Sequence, residues 1–474
     1  MASSTSSSVS RARGLLALVV LYGVIVFLIP APAPITPQGW RQTAIFICVI
    51  AGMILEPLPS SALVLMGLTA MTANGTPMRE ALGGFAEPSV WLVVAAMMIA
   101  RLLLETGLAR RIALLFVRAF GQTSLGVSYS LLMTDVTLAS GVSSITARSA
   151  GMVLPIGLSI AELFDSKPGP SARRIGTFLV AAMYQASAVA CAMFYTGQAS
   201  NVLGANLAAK LVNVQITWSS WFVAAVVPGL VSCALVPWIT YLCVPPELKR
   251  TPEASTFAAA ELNRMGRMTQ SERITLAVFT GVGVLWITTA WHQLDVTFVA
   301  LIGVAVLLMT GTLKWSRVVS ETAAWDVFVW YGGLLRMGQL LNDTGSTRVF
   351  AESVGGLFSG MPWPVVLVMI LIVYFYAHYM FASITAHVLS MFPPFVALLV
   401  GIGVPAPLAA YSLLCLSNLP AGLTHYGTTS APILYGTGYV SFKDWWRTGF
   451  VVGTANVAIW IVVGFTWWKW LGFW

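Results

Sequence analysis

Apolar runs long enough to cross a bilayer recur from one end of this chain to the other, and no soluble packing hides that much apolar surface. A spanning helix needs about 20 mostly apolar residues. Candidates lie at 14–30, 40–56, 60–73, 88–105, 175–195, 219–243, 273–291, 296–312, 324–341, 363–380, 404–423 and 446–468. Hydrophobic residues make up 58% of the 474 positions and charged residues 9%, against roughly 25% charged in a soluble domain. The expected fold is an all-α polytopic membrane protein, not the several soluble domains that the length alone would allow. The net charge of +8 does not point to nucleic acid, because the basic residues sit in short connections between apolar runs. There they act as orientation signals. The five Cys have no CxxC spacing, so neither a disulfide framework nor a zinc site is expected. The four His include no HExxH, and there is no Walker lysine motif. Metalloprotease chemistry and ATP-driven transport by this chain alone are thereby disfavoured, and no cofactor is expected.

Residues 1–13 begin Ser-rich and read as a disordered cytoplasmic leader, and 14–30 as an uncleaved first span. That run is longer than the 7–15 residues typical of a signal-peptide core. Two stretches, 124–164 and 364–400, are apolar but interrupted by Ser, Thr, Gly and Pro. They are expected to be re-entrant hairpins, since irregular backbone at membrane depth is tolerated only where protein or a wet cavity covers it. The polar segment 246–272 separates 40–245 from 273–474. With about 11 spans, the N-terminus inside and both hairpins returning to their own side, seventeen of the 25 basic residues fall in cytoplasmic connections. Arg41, Arg79, Lys210, Arg348 and Lys469 fall outside. That bias obeys the positive-inside rule and fits a bacterial-type inner membrane. Arg101, Asp326 and Arg336 read as structural ion pairs near helix ends, and Trp467, Trp468, Trp470 and Trp474 as an interfacial belt.

The two halves echo each other. Ser144-Ile-Thr-Ala-Arg148 matches Ser383-Ile-Thr-Ala-His387, and a Pro follows each Thr at the same distance, at Pro155 and Pro394. Thr106-Gly107 pairs with Thr344-Gly345, the stretch from Tyr195 to Leu203 with that from Tyr426 to Leu434, and Trp221 and Gly229 with Trp445 and Gly453. Matches in one order indicate duplication, and the intervening number of spans makes the repeats inverted. Inverted repeats with broken helices mark secondary transporters that bind substrate near the midplane, although channels and inert scaffolds are also duplicated.

Ser143, Ser144, Thr146, Ser383 and Thr385 place small hydroxyls at the hairpin tips. The helix after each tip adds free N–H groups and a positive dipole end, so each tip can hold an anion without a full positive charge. Two tips suit the two ends of a dicarboxylate. The alternative is that Ser and Thr only satisfy helix backbone in lipid. Arg148 and His387 occupy equivalent places and, like His425, either touch substrate or play structural roles. Gly427 and Thr428 join the candidate substrate site. Gly197, Asn201 and Thr429 lie in the breaks that could offer oxygens to a cation. No nucleophile–base pair, metal cluster or cofactor motif supports an enzyme, and no soluble output domain supports a sensor.

The paired Ser-x-Thr tips, the broken helices and the closing segment from Gly438 to Trp446 resemble the divalent anion:sodium symporter family. The stretches Phe381–His387 and Leu423–Gly427 resemble its exchanger branch of citrate/succinate and tartrate/succinate antiporters and plastid 2-oxoglutarate/malate translocators. The resemblance runs from about Trp40 to the end. It implies a homodimer, an elevator motion, and di- or tricarboxylate substrates held by Ser144, Thr146, Ser383 and Thr385. It also implies cation-site and substrate-site loops after Gly197 and Gly427. The family's Ser-Asn-Thr motif has Ile145 and Ile384 at its middle positions here, which removes an oxygen donor from each sodium site. Sodium-independent exchange is therefore favoured over sodium-coupled symport. Replacing both Ile145 and Ile384 by Asn should change the sodium dependence of uptake more than thermal stability; unchanged sodium dependence would count against this reading.

Overall fold

The computed structural model describes residues 2–55, 57–346, 349, 352, 353, 358 and 360–474. Arg348 lies outside these residues. Among them the only β feature is an isolated bridge between Thr123 and Arg250, and the rest of the architecture is helical. Among the described residues, eight helices are long and apolar enough to cross a bilayer. They are Arg11–Leu28, Pro37–Leu55, Pro88–Glu105, Gly176–Met193, Trp218–Cys243, Trp363–Met380, Ile384–Gly401 and Phe442–Trp470. Ser60–Ala73 and Val296–Met309 are apolar but shorter. The first helix extends back to Ala2, so the Ser-rich leader continues it instead of lying free. An existing helix propagates at little cost because its nucleus is already formed.

Gly176–Met193 is wholly buried, whereas only 6% of Arg11–Leu28 is. The first is the centre of the protein and the second faces lipid. Alanines at 181, 182, 186, 188, 190 and 192 let neighbouring helices approach that centre closely. Trp218–Cys243, Ser124–Ala139 and Leu154–Leu163 pack on it. Trp221 donates to the Ala192 carbonyl at 2.9 Å and Trp468 to that of Ala224 at 2.9 Å. Trp468 and Trp460 are completely buried, while Trp470 is 76% exposed. The C-terminal tryptophans are therefore part core and part belt. The indole N–H of Trp468 finds a carbonyl in the Trp218–Cys243 helix, so burial leaves no donor orphaned.

The polar connection at 246–272 is more ordered than its charge suggests. Pro252–Met265 is a helix whose Ala254, Ser255, Ala258 and Leu262 are buried, the spacing of one helical face. That face lies on Leu108–Phe120, where Thr251 donates to the Gly121 carbonyl at 2.9 Å and Arg110 meets Glu261 at 2.7 Å. The next helix opens with a capping box between Thr269 and Glu272. Glu272 also binds Arg111 through both oxygens, at 2.8 and 3.2 Å, and is 1% exposed. Burial by itself would raise the Glu272 carboxyl. The hydrogen bonds from Arg111 and Thr269 and the Arg111 charge outweigh burial and hold it below its ordinary value of 4.5. A depressed folded-state value means that the stabilisation is complete above pH 4.5 and is lost as pH falls through the lower folded value. Glu272→Gln should cost about 3 kcal/mol at neutral pH, because it leaves a buried guanidinium unpaired. The gap in melting temperature between wild type and variant should narrow below pH 4.5; a pH-independent gap would remove the ion pair from the explanation.

Candidate functional site

Two helical stretches are interrupted where the sequence repeats. Ser124–Ala139 ends before a non-helical turn, and helix resumes at Ile145, passing through a π segment, Ala147–Val153, into Leu154–Leu163. Trp363–Tyr376 ends in a 3₁₀ turn, Ala377–Met380, and helix resumes at Ile384–Gly401. Both resumed helices are capped by the serine of the repeat. Ser144 Oγ accepts from the Ala147 N–H at 3.2 Å, and Ser383 Oγ from the Ala386 N–H at 3.4 Å. The first N–H groups of each helix have no partner within it.

The two breaks meet at one cavity of about 370 Å³. Ser143, Ser144, Ile145 and Thr146 line it from the first half, and Ser383, Ile384 and Thr385 from the second. Gln198, Ala199, Thr428 and Thr429 reach it from two further breaks. Thr146 and Thr429 touch through their hydroxyls at 2.6 Å, which joins the first tip to the last break. Ser143 Oγ is buried with no partner among the described residues. Met53, Ser60, Met97, Ala323, Asp326, Val327 and Trp330 complete the wall. Among the described residues no Lys, Arg or His lines it. Positive potential comes from the two helix starts, and hydrogen bonds from hydroxyls.

Arg148, His387 and His425, for which the sequence leaves substrate contact or a structural role open, do not line the cavity. Arg148 is 0% exposed. Its Nε meets Asp135 Oδ1 at 2.8 Å, its Nη1 donates to the carbonyls of Val142 at 2.5 Å and Gly197 at 2.6 Å, and its Nη2 lies 3.1 Å from Cys191 Sγ. One guanidinium thus ties the first tip to the Tyr195–Gly197 break. His387 plays a parallel part in the second half. Its Nδ1 lies 3.2 Å from His378 Nδ1, and His378 Nε2 meets the Gly427 carbonyl at 2.9 Å. His425 accepts from Trp446 Nε1 at 3.2 Å and packs, tilted or edge-on, among the rings of Tyr435, Phe442 and Trp446.

Asn201, Gly197 and Gly427 also sit behind the cavity wall. Asn201 donates to the carbonyls of Cys191 and Phe194, both at 2.9 Å, and its Oδ1 accepts from Asn418 at 2.8 Å. Its amide closes the break and leaves no oxygen aimed at a cation. A Cβ on Gly197 would fall 2.6 Å from the Cys191 carbonyl oxygen, and one on Gly427 2.9 Å from Thr424 Oγ1. Each break needs glycine for this close approach. Thr428 is held by the Tyr184 hydroxyl at 2.9 Å. His378 and Asn418 carried no sequence signal, since neither falls in the repeated motif. Arg101 pairs with Glu105 at 2.9 Å, and Arg336 with Glu80 at 3.3 Å, as expected from sequence. Asp326 differs: its partner is the Ser61 hydroxyl, and it faces the cavity.

The chain matches the sodium:sulfate symporter transmembrane region family over residues 10–474. It belongs to that family. YflS of Bacillus subtilis, named as a candidate malate transporter, is 40% identical over 97% of this chain and 96% of its own length. Chloroplastic dicarboxylate transporter 1 of Arabidopsis thaliana is 40% identical over 95% of this chain and 82% of its own. The citrate/succinate antiporter of Escherichia coli K12 is 33% identical over 97% and 98%. Among solved structures, the YdaH transporter of Alcanivorax borkumensis superposes with a TM-score of 0.57 at 15% identity, over 85% of this chain and 89% of that one. MtrF of Neisseria gonorrhoeae gives 0.55 at 13%, over 94% and 97%. These two share the fold.

Arg148→Met would leave Asp135 buried without its partner and should cost about 3–5 kcal/mol. The double variant Asp135→Leu with Arg148→Met should recover part of that loss in thermal unfolding. Losses that simply add would show that the ion pair does not hold the break.

Proposed function

We propose that this chain is a secondary carrier that exchanges small dicarboxylates across the membrane without sodium. The observation that carries the reading is the pairing of hydroxyl-lined tips at two helix starts, facing one cavity, with a guanidinium already seated on the backbone carbonyls behind it. A carboxylate suits each helix start, because it is negative and accepts several hydrogen bonds. Carbonyls released at broken helices are the groups that coordinate sodium in transporters. Here the Arg148 guanidinium takes the Val142 and Gly197 oxygens in the first half. In the second half His378 takes the Gly427 oxygen. Sodium would have to displace a charge that cannot leave. This narrows the expectation for Ile145 and Ile384: Asn at 145 alone cannot open the first site while Arg148 fills it.

The relatives' names, which include malate, dicarboxylate and citrate/succinate, support a di- or tricarboxylate substrate class; 2-oxoglutarate and tartrate belong to the same chemical class. Ser143, Ser144, Thr146, Ser383, Thr385, Thr428 and Thr429 are the proposed contacts. Gly197, Asn201, Gly427, Arg148, His387 and His425 act by shaping the walls. The two halves act as inverted repeats, with 124–164 and 364–400 as hairpins that carry substrate in an elevator motion. The N-terminus is cytoplasmic, the membrane is a bacterial-type inner membrane, and the assembly is a homodimer.

Purified protein in liposomes should take up labelled malate, succinate or 2-oxoglutarate only against an internal dicarboxylate, at the same rate in sodium and in potassium. Uptake into empty liposomes driven by a sodium gradient would replace exchange by symport.

A further inference from the structure

Among the described residues Asp326 is the one charged side chain lining the cavity. It is exposed to the cavity, and the Ser61 hydroxyl bonds to its Oδ1 and, at 3.1 Å, to its backbone carbonyl. Its second carboxylate oxygen has no partner among the described residues. The side chain belongs to the Thr322–Asp343 helix, which presents Ala323, Asp326, Val327 and Trp330 to the cavity. That spacing is one helical face. The cavity therefore has two unlike sides: a wall of hydroxyls and helix starts that favours negative charge, and a wall that is apolar except for one carboxylate.

We propose that Asp326 makes this site select divalent over trivalent carboxylates. The inference rests on the carboxylate reading above. A dicarboxylate satisfies both helix starts, one carboxylate at each. A third carboxylate on the same skeleton has no helix start left. It must turn toward the Thr322–Asp343 face, where it meets a like charge and no Lys, Arg or His. Repulsion between like charges rejects the wrong ligand without strengthening the right one. In a water-accessible cavity one such repulsion changes affinity by roughly five- to tenfold. A tricarboxylate that has taken up one proton is divalent and escapes it. Citrate is thereby admitted in its protonated form and disfavoured in its fully ionised form.

The test is counterflow of labelled citrate and malate in liposomes, between pH about 7.5 and about 6, the range over which citrate gains its last proton more readily than malate. Wild type should show a citrate-to-malate ratio that climbs on acidification. Asp326→Asn should raise that ratio about five- to tenfold at the higher pH and flatten its pH dependence, while Asp326→Glu should keep the wild-type profile. Ala323→Lys, one turn before Asp326 on the same face, places a positive charge beside the carboxylate and should raise the ratio by offsetting it; it covers the case in which Asp326→Asn does not fold. A ratio that ignores both Asp326→Asn and Ala323→Lys, in protein that exchanges malate, would overturn the inference. Wild type that exchanges neither anion would instead overturn the carboxylate reading.

Discussion

A backbone group freed from its helix at membrane depth has no water to turn to, and leaving it unpaired costs several kcal/mol. This chain breaks its helices near Ser143, Tyr195, Phe381 and His425, and the surrounding structure is arranged to repair those breaks. Arg148 takes the oxygens of Val142 and Gly197, and Asn201 those of Cys191 and Phe194. His378 takes Gly427, Gln185 takes Gly422 at 2.9 Å, and Tyr184 takes Ala421 at 2.6 Å. Most of these donors come from buried side chains on Gly176–Met193 or on the helices that touch it. That explains why this helix is wholly buried and why small residues let its neighbours crowd it. The central helix is the support from which the irregular backbone is held open.

The same repairs decide what the cavity can offer. Carbonyls are consumed behind the wall, while helix starts and hydroxyls remain in front. A site that kept both would attract cation and anion together. With those oxygens occupied, the N–H dipoles at the two tips favour negative charge, while the Asp326 carboxylate opposes it on the Thr322–Asp343 side. Arg148 adds little long-range potential of its own, because Asp135 lies 2.8 Å away and neutralises it. Its contribution is geometric: it fixes where the first tip stands relative to the Tyr195–Gly197 break.

Much of this was legible in the chain. Apolar run length located most of the spans, and the duplicated Ser-Ile-Thr-Ala located the tips, because a capping serine before a helix is a local feature. Partners distant in sequence were not legible. For Arg148 and His387 the chain leaves substrate contact and a structural role both open, since sequence shows that a charge is buried but not which oxygen it meets. Asp135 is a carboxylate that could pair with Arg148, whereas nothing in the sequence ties His378 to His387, nine residues later. Asp326 was read as one more structural ion pair, because nothing local distinguishes it from Arg101 or Arg336. Trp468 was placed in a belt with its neighbours, although the chain turns it inward against the Ala224 carbonyl. The Pro252–Met265 helix was hidden by its charges, which dominate composition but spare the Ala254–Ala258–Leu262 stripe.

Exchange also follows from where the fixed charge sits. A sodium-coupled carrier can discharge its cations and return empty, because the ions that balanced its substrate leave with it. Under the proposed reading the balancing groups are covalent: helix starts and hydroxyls, held in place by a guanidinium locked to the carbonyls behind them. An empty site keeps its full demand for a negative partner, and moving it through a region without water or counter-charge carries the desolvation penalty of unsatisfied donors. A second dicarboxylate removes that penalty in the return direction as the first did in the forward one. Obligate exchange is then a consequence of replacing mobile cations by buried side chains, and its strictness should track how completely those side chains occupy the oxygens of the broken helices.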